Sequence, residues 1–117
     1  MATDMIALQD KLIGLMKLEA DWDGDGAKPI PPETVARARD HLLTMSETGG
    51  SLPDGAYASP RGTILLTWHN GPNYFELEVI SSVREEWLAV IPQAPNRFGR
   101  QYDREAEQSL NAAMSPF

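Results

Sequence analysis

Up to Gly50 the apolar residues return every three or four places, and beyond Ser51 they return every second place. That change of period predicts helices first and strands afterwards. The first helix is expected over about Asp4 to Glu19, where Met5, Leu8, Leu12, Leu15 and Met16 form a stripe that Ile6 and Ile13 widen. Asp21 to Pro32 reads as a loop, because its glycines allow positive φ and its prolines stop a helix. A second helix should open near Pro32 or Glu33 and end at Gly49 and Gly50, with Val35, Ala38, Leu42 and Met45 as its stripe. Strands are predicted at Ala56 to Ser59, Ile64 to His69, Tyr74 to Ile80 and Glu86 to Ile91, where Pro92 and Pro95 stop the run. In the third, Phe75, Leu77 and Val79 alternate with Glu76 and Glu78; in the fourth, Trp87, Ala89 and Ile91 share a face.

Short turns between consecutive strands favour antiparallel pairing. The fold class expected is therefore α+β: two N-terminal helices packed on an antiparallel meander of three or four strands, with a short C-terminal helix over about Asp103 to Met114. With 117 residues, the chain is read as a single domain, 1–117. Its helical part is 4–50, its sheet 51–95 and its C-terminal segment 96–117.

Charge narrows the function. Seventeen acids against ten bases leave a net charge of −7. Residues 1–50 carry nine acids and five bases and residues 51–117 eight and five, so the acidity belongs to the whole body and not to a tail. Such a surface repels nucleic acid and attracts basic proteins. There is no cysteine, hence no disulfide, thiolate metal site or cysteine nucleophile. No membrane span or leader is evident, and a cytoplasmic setting is expected.

Asp21-Trp22-Asp23-Gly24-Asp25-Gly26 opens like a calcium-binding loop, with acids at positions 1, 3 and 5 and glycine at 6. Position 12 should be a bidentate glutamate; here it is Pro32, and Glu33 comes one residue late. The same letters also read as a structural turn. Trp22 would anchor it, Asp23 would accept backbone N–H groups, and Gly24 and Gly26 would supply the backbone freedom. Asp21, Asp23 and Asp25 are thus weak metal candidates, and no cofactor is implied.

Trp22-Asp23-Gly24-Asp25-Gly26-Ala27 resembles the Trp-Asp-Gly-x-Gly-Ala signature of a family of small bacterial and phage-borne proteins. The likeness extends through Ser59-Pro60-Arg61-Gly62, Leu66-Thr67-Trp68-His69 and Phe75-Glu76-Leu77-Glu78-Val79, covering about residues 12 to 91. It implies no established activity. By analogy it points to antitoxins and phage-encoded inhibitors of host defence.

No nucleophile elbow, phosphate loop or zinc helix occurs, so no catalytic residue is assigned. His41 reads as a solvated or edge residue of the second helix. His69 is placed to pair with Glu76 or Glu78 across a hairpin. The remaining acids, Glu76, Glu78, Glu85 and Glu86, join Asp21, Trp22, Asp23 and Asp25 as candidate partner-binding residues, with Trp87 and Tyr74 as aromatic anchors if they face outward. The function expected is a non-enzymatic protein-binding module that occupies a partner's basic surface, like an antitoxin or anti-CRISPR inhibitor. A homo-oligomer closing through a sheet edge is a second arrangement. A calcium- or ligand-responsive module centred on Asp21–Asp25 is the alternative from another class.

Overall fold

The computed structural model describes residues 2–115. In chain order the elements are α1 (Ala2–Leu15), α2 (Pro32–Glu47), β1 (Gly55–Ser59), β2 (Thr63–Asn70), β3 (Asn73–Val79), β4 (Glu85–Val90), β5 (Arg97–Gly99) and α3 (Arg104–Met114). The strands form one antiparallel sheet in the order β1-β2-β3-β4-β5. This is the α+β arrangement expected, with one strand more. The last two residues of the segment assigned to 96–117 lie outside the described residues.

The apolar alternation sets the register. Ile64, Leu66 and Trp68 of β2 pair with Val79, Leu77 and Phe75 of β3, and all six are essentially without solvent contact. Leu77 and Phe75 pair in turn with Trp87 and Ala89 of β4. A slip of one residue would turn this whole set to water, which is why the pairing is unique. The helices all lie over this face. Val35, Ala38, Leu42 and Met45 of α2 and Ala106, Leu110 and Ala113 of α3 join the strand residues in one core. α1 leans on α2 and β1 through Leu8, Leu12 and Leu15.

Three departures from the sequence reading have physical causes. α1 stops at Leu15 and not Glu19, since after Gly14 the hydrogen bonds tighten to Lys17 N–H on Gly14 O and Leu18 N–H on Leu15 O. Ile6, Ile13 and Met16, read as part of the core stripe, are instead 61%, 50% and 45% exposed, because among the described residues α1 has neighbours on one side only. β5 went unpredicted: three residues, Arg-Phe-Gly, carry no period. It is held because Gly99 has no side chain, so the indole of its cross-strand partner Trp87 covers it. Trp87 Nε1 is buried there without a hydrogen-bond partner.

The turn at Asn70-Gly71-Pro72-Asn73 does two jobs. Gly71 takes φ 61° at the first central position of a two-residue hairpin loop, where a side chain would be strained and Pro72 cannot follow with positive φ. Asn70 and Asn73 then both donate through Nδ2 to Ala113 O (3.1 and 2.9 Å), and Asn70 also donates to Ser115 O. Those carbonyls at the end of α3 would otherwise lack partners. Asp103 Oδ1, accepting from Ala106 N–H, caps α3 at its start, and the two asparagines tie its end to the β2–β3 turn.

Gly99→Ala would set a Cβ 2.5 Å from Trp87 Nε1. It is expected to destabilise the fold by about 1–3 kcal/mol, measured by urea denaturation and accompanied by a change in tryptophan fluorescence.

Candidate functional site

The Asp-rich loop is built from its own backbone needs. Asp21 stands at φ 64° and its N–H bonds Ala27 O at 2.7 Å, closing the loop. Asp23 Oδ1 accepts from Asp25 N–H (2.8 Å) and Ala27 N–H (3.0 Å), and Asp21 Oδ1 accepts from Gly26 N–H (2.6 Å). Trp22 Nε1 donates to Lys28 O at 2.8 Å. Gly24 and Gly26, at φ 76° and 83°, supply the conformation. The closed loop docks on the β1–β2 turn through Lys28 N–H to Pro60 O, and Ala27 and Ile30 enter the interior. A Cβ on Gly62 would come within 2.9 Å of Pro29 O, which explains the glycine there.

Two of the three loop carboxylates are therefore spent on amides and do not converge with the third. Among the described residues no three His, Asp or Glu side chains come together to hold a metal ion. The calcium-like spacing is used as a backbone staple.

The acidic residues of the sheet separate by strand parity. Glu76 and Glu78 lie on the outer face, which no helix covers, and Glu86 stands directly opposite Glu78. Glu78 Oε2 accepts from Arg61 Nη2 and from Thr63 Oγ1. Glu76 Oε1 accepts from the Tyr74 hydroxyl at 3.0 Å. Desolvation, together with that bond and the charge of Glu76, pushes Tyr74 up to about 12. Glu76, Glu78, Glu86, Leu88, Phe98 and Arg100 line a groove of about 370 Å³ on this face.

Glu85 does not belong with them. It is 2% exposed and points with Trp87 and Ala89 into the helix layer. Its Oε1 accepts from Arg37 Nε (3.0 Å) and Nη2 (2.8 Å) and lies 2.9 Å from His41 Nε2, while Oε2 accepts from Tyr102 N–H at 2.6 Å. An ionised carboxylate only accepts, so His41 Nε2 carries the hydrogen in this contact. Burial pushes the Glu85 carboxyl up, yet the bonds from His41, Tyr102 N–H and Arg37 together hold it below the ordinary glutamate value of 4.5. His41, expected as a solvated or edge residue, is half-buried against Glu85 and edge-on to Tyr102. Desolvation raises the Tyr102 hydroxyl to about 12.

The other aromatic and histidine expectations also shift. Trp87 is inside, stacked on Phe75, and cannot serve as an outer anchor. That position on the open face falls to Phe98, which is 76% exposed and which the sequence reading missed along with β5. His69 pairs through Nδ1 with Asp54 at 2.8 Å, on the β1 side, and not with Glu76 or Glu78. The period-two pattern did contain the signal for Glu85, because extending the Trp87–Ala89 face back by two reaches it.

No protein-family model matches this chain, and neither a curated protein nor a solved structure shows significant similarity to it. None of the three helices is long and apolar enough to cross a membrane, among the described residues.

Because folding lowers its pKa, Glu85 contributes its full stabilisation above pH 4.5, and that contribution drains away as pH falls through its folded value. Glu85→Gln is expected to cost about 2–4 kcal/mol near neutral pH, with the gap to the parent protein narrowing in acid; denaturation curves across pH measure both. In the loop, Asp23→Ala should cost about 1–2 kcal/mol and Asp23→Asn less, with no change in either midpoint on adding calcium in a thermal melt.

Proposed function

We propose that this protein is a non-enzymatic binding module whose open sheet face occupies a basic surface of a partner protein. The observation that carries this reading is the outer row Glu76, Glu78 and Glu86 set beside Phe98, which is 76% exposed. Like charges directly opposite each other on adjacent strands disfavour the sheet. Here Glu78 faces Glu86, and Arg61 compensates Glu78 alone. A lysine or arginine brought by a partner into the groove relieves that repulsion, and Phe98 gives it an apolar anchor of the kind that dominates interface energetics. A second copy would bring the same carboxylates and is disfavoured on this face. The chain's net charge of −7 speeds encounter with a basic partner and repels nucleic acid.

Asp21 and Asp23 hold the loop and act on the partner only by keeping the β1–β2 turn, and with it Arg61, in place. Glu85 and Trp87 support the sheet from the other side. An inhibitor of the antitoxin or anti-CRISPR kind, blocking a groove meant for phosphates, would work in this way. The Trp-Asp-Gly-x-Gly-Ala resemblance adds a bacterial or phage setting.

The test is capture of partners from bacterial lysate by the tagged chain at low and high salt, followed by affinity measurement on the protein identified. Glu76→Lys combined with Glu86→Lys is expected to weaken binding by about a hundredfold or more, and Phe98→Ala by about tenfold or more. A partner whose affinity is indifferent to all three changes would place the contact elsewhere and overturn the reading.

A further inference from the structure

From Val90 to Glu105 no residue is buried, although the stretch includes β5. Each of the four longer strands, by contrast, buries residues of its own. β5 is held by its pairing with β4 and by the indole of Trp87, which lies over Gly99. That hold is incomplete. Trp87 Nε1 is shut away from water without an acceptor, and a buried donor left unpaired works against the closed arrangement. On the helix side a groove of about 370 Å³, lined by Ile91, Pro95, Arg97, Gln108, Ser109 and Ala112, runs between this stretch and α3, so side chains do not fill the space beneath it.

Both ends of the stretch are fixed. At the near end Ala94 N–H bonds Ile91 O at 3.1 Å, closing a turn in which Gln93 takes φ 70°, a conformation that costs a residue with a side chain. At the far end Tyr102 N–H is held by Glu85 Oε2. We propose that residues 92–101 form a flap, which swings off β4 between these two anchors while the rest of the fold stays intact. Opening gives the Trp87 N–H to water and withdraws no buried side chain of the flap itself. The flap carries Phe98 and Arg100, which form one wall of the acidic groove. Its consequence for binding rests on the reading of that groove as the partner site: only the closed flap presents this wall, and affinity is scaled by the closed fraction. Opening itself is a property of the free chain, so it is measured without a partner and stands or falls apart from that reading.

Exchange of the indole N–H groups against deuterium, followed by NMR on the free full chain, tests the flap. Trp68 serves as the internal standard, since its Nε1 is bonded to Ser51 O at 3.0 Å and its side chain lies in the core. The Trp87 N–H is expected to exchange about a hundredfold faster than that of Trp68, or more. Its rate should be indifferent to low urea, whereas that of Trp68 should rise with urea as global unfolding does. A cross-strand lock ties the exchange to the flap. Leu88 and Phe98 stand directly opposite each other, at the Cα separation of about 4.5–5.5 Å that a disulfide spans, and the chain has no cysteine of its own. In the chain carrying Leu88→Cys and Phe98→Cys, oxidation should slow Trp87 exchange by about tenfold or more and reduction should restore it. Circular dichroism checks that the fold is unchanged. One common rate and urea dependence for Trp87 and Trp68 overturns the proposal, as does a closed disulfide that leaves Trp87 exchange as fast as before.

Discussion

A carboxylate sealed inside a small protein has to be answered by hydrogen bonds and charge, and Glu85 meets that demand with three residues from two segments of the chain. Arg37 and His41 come from α2, and the Tyr102 amide comes from the entry to α3. Truncating any one partner leaves a buried charge short of donors, which costs far more than the bond itself contributes. The clamp thereby holds α2 and the α3 entry in one relation to β4. His41 and Tyr102 also meet edge-on there, so the polar cluster continues into the aromatic packing of Phe75 and Trp87.

With the helices fixed to one side, the two faces of the sheet have different work. The inner face is consumed by core packing, and nothing on it is free to meet a partner. The outer face keeps half-buried carboxylates and the exposed ring of Phe98 without a covering layer. Strand parity alone sends Glu85 inward and Glu86 outward. Two adjacent glutamates, chemically identical, thus become a structural clamp and a candidate contact.

The loop at Asp21–Lys28 shows how a recognisable motif can mean something other than its letters suggest. Its carboxylate spacing resembles a cation site, but short Asp side chains reach the backbone amides of a tight loop just as well, and Gly24 and Gly26 bring those amides within range. The loop in turn lies on the β1–β2 turn, whose Arg61 holds Glu78. Local chemistry at one end of the chain therefore bears on the open face made by the other.

Periodicity was enough to determine the α+β class, the place of α2 and α3 and the four longer strands, because amphipathic repeats leave an imprint that needs no knowledge of neighbours. The Asp23 turn and the Gly71 hairpin were legible for the same reason: each is closed by groups within a few residues. Tertiary contacts decided the rest. β5 exists only because Trp87 can lie over Gly99, and Ile6, Ile13 and Met16 stay exposed because none of the described residues covers the outer side of α1. Whether a glutamate is wet or buried depends on which donors the fold brings to it. Arg37 and His41 stand 48 and 44 residues from Glu85 along the chain. A hydrogen bond over that separation has no periodic trace in the sequence, since it is made by the packing of whole elements and not by the local order of residues.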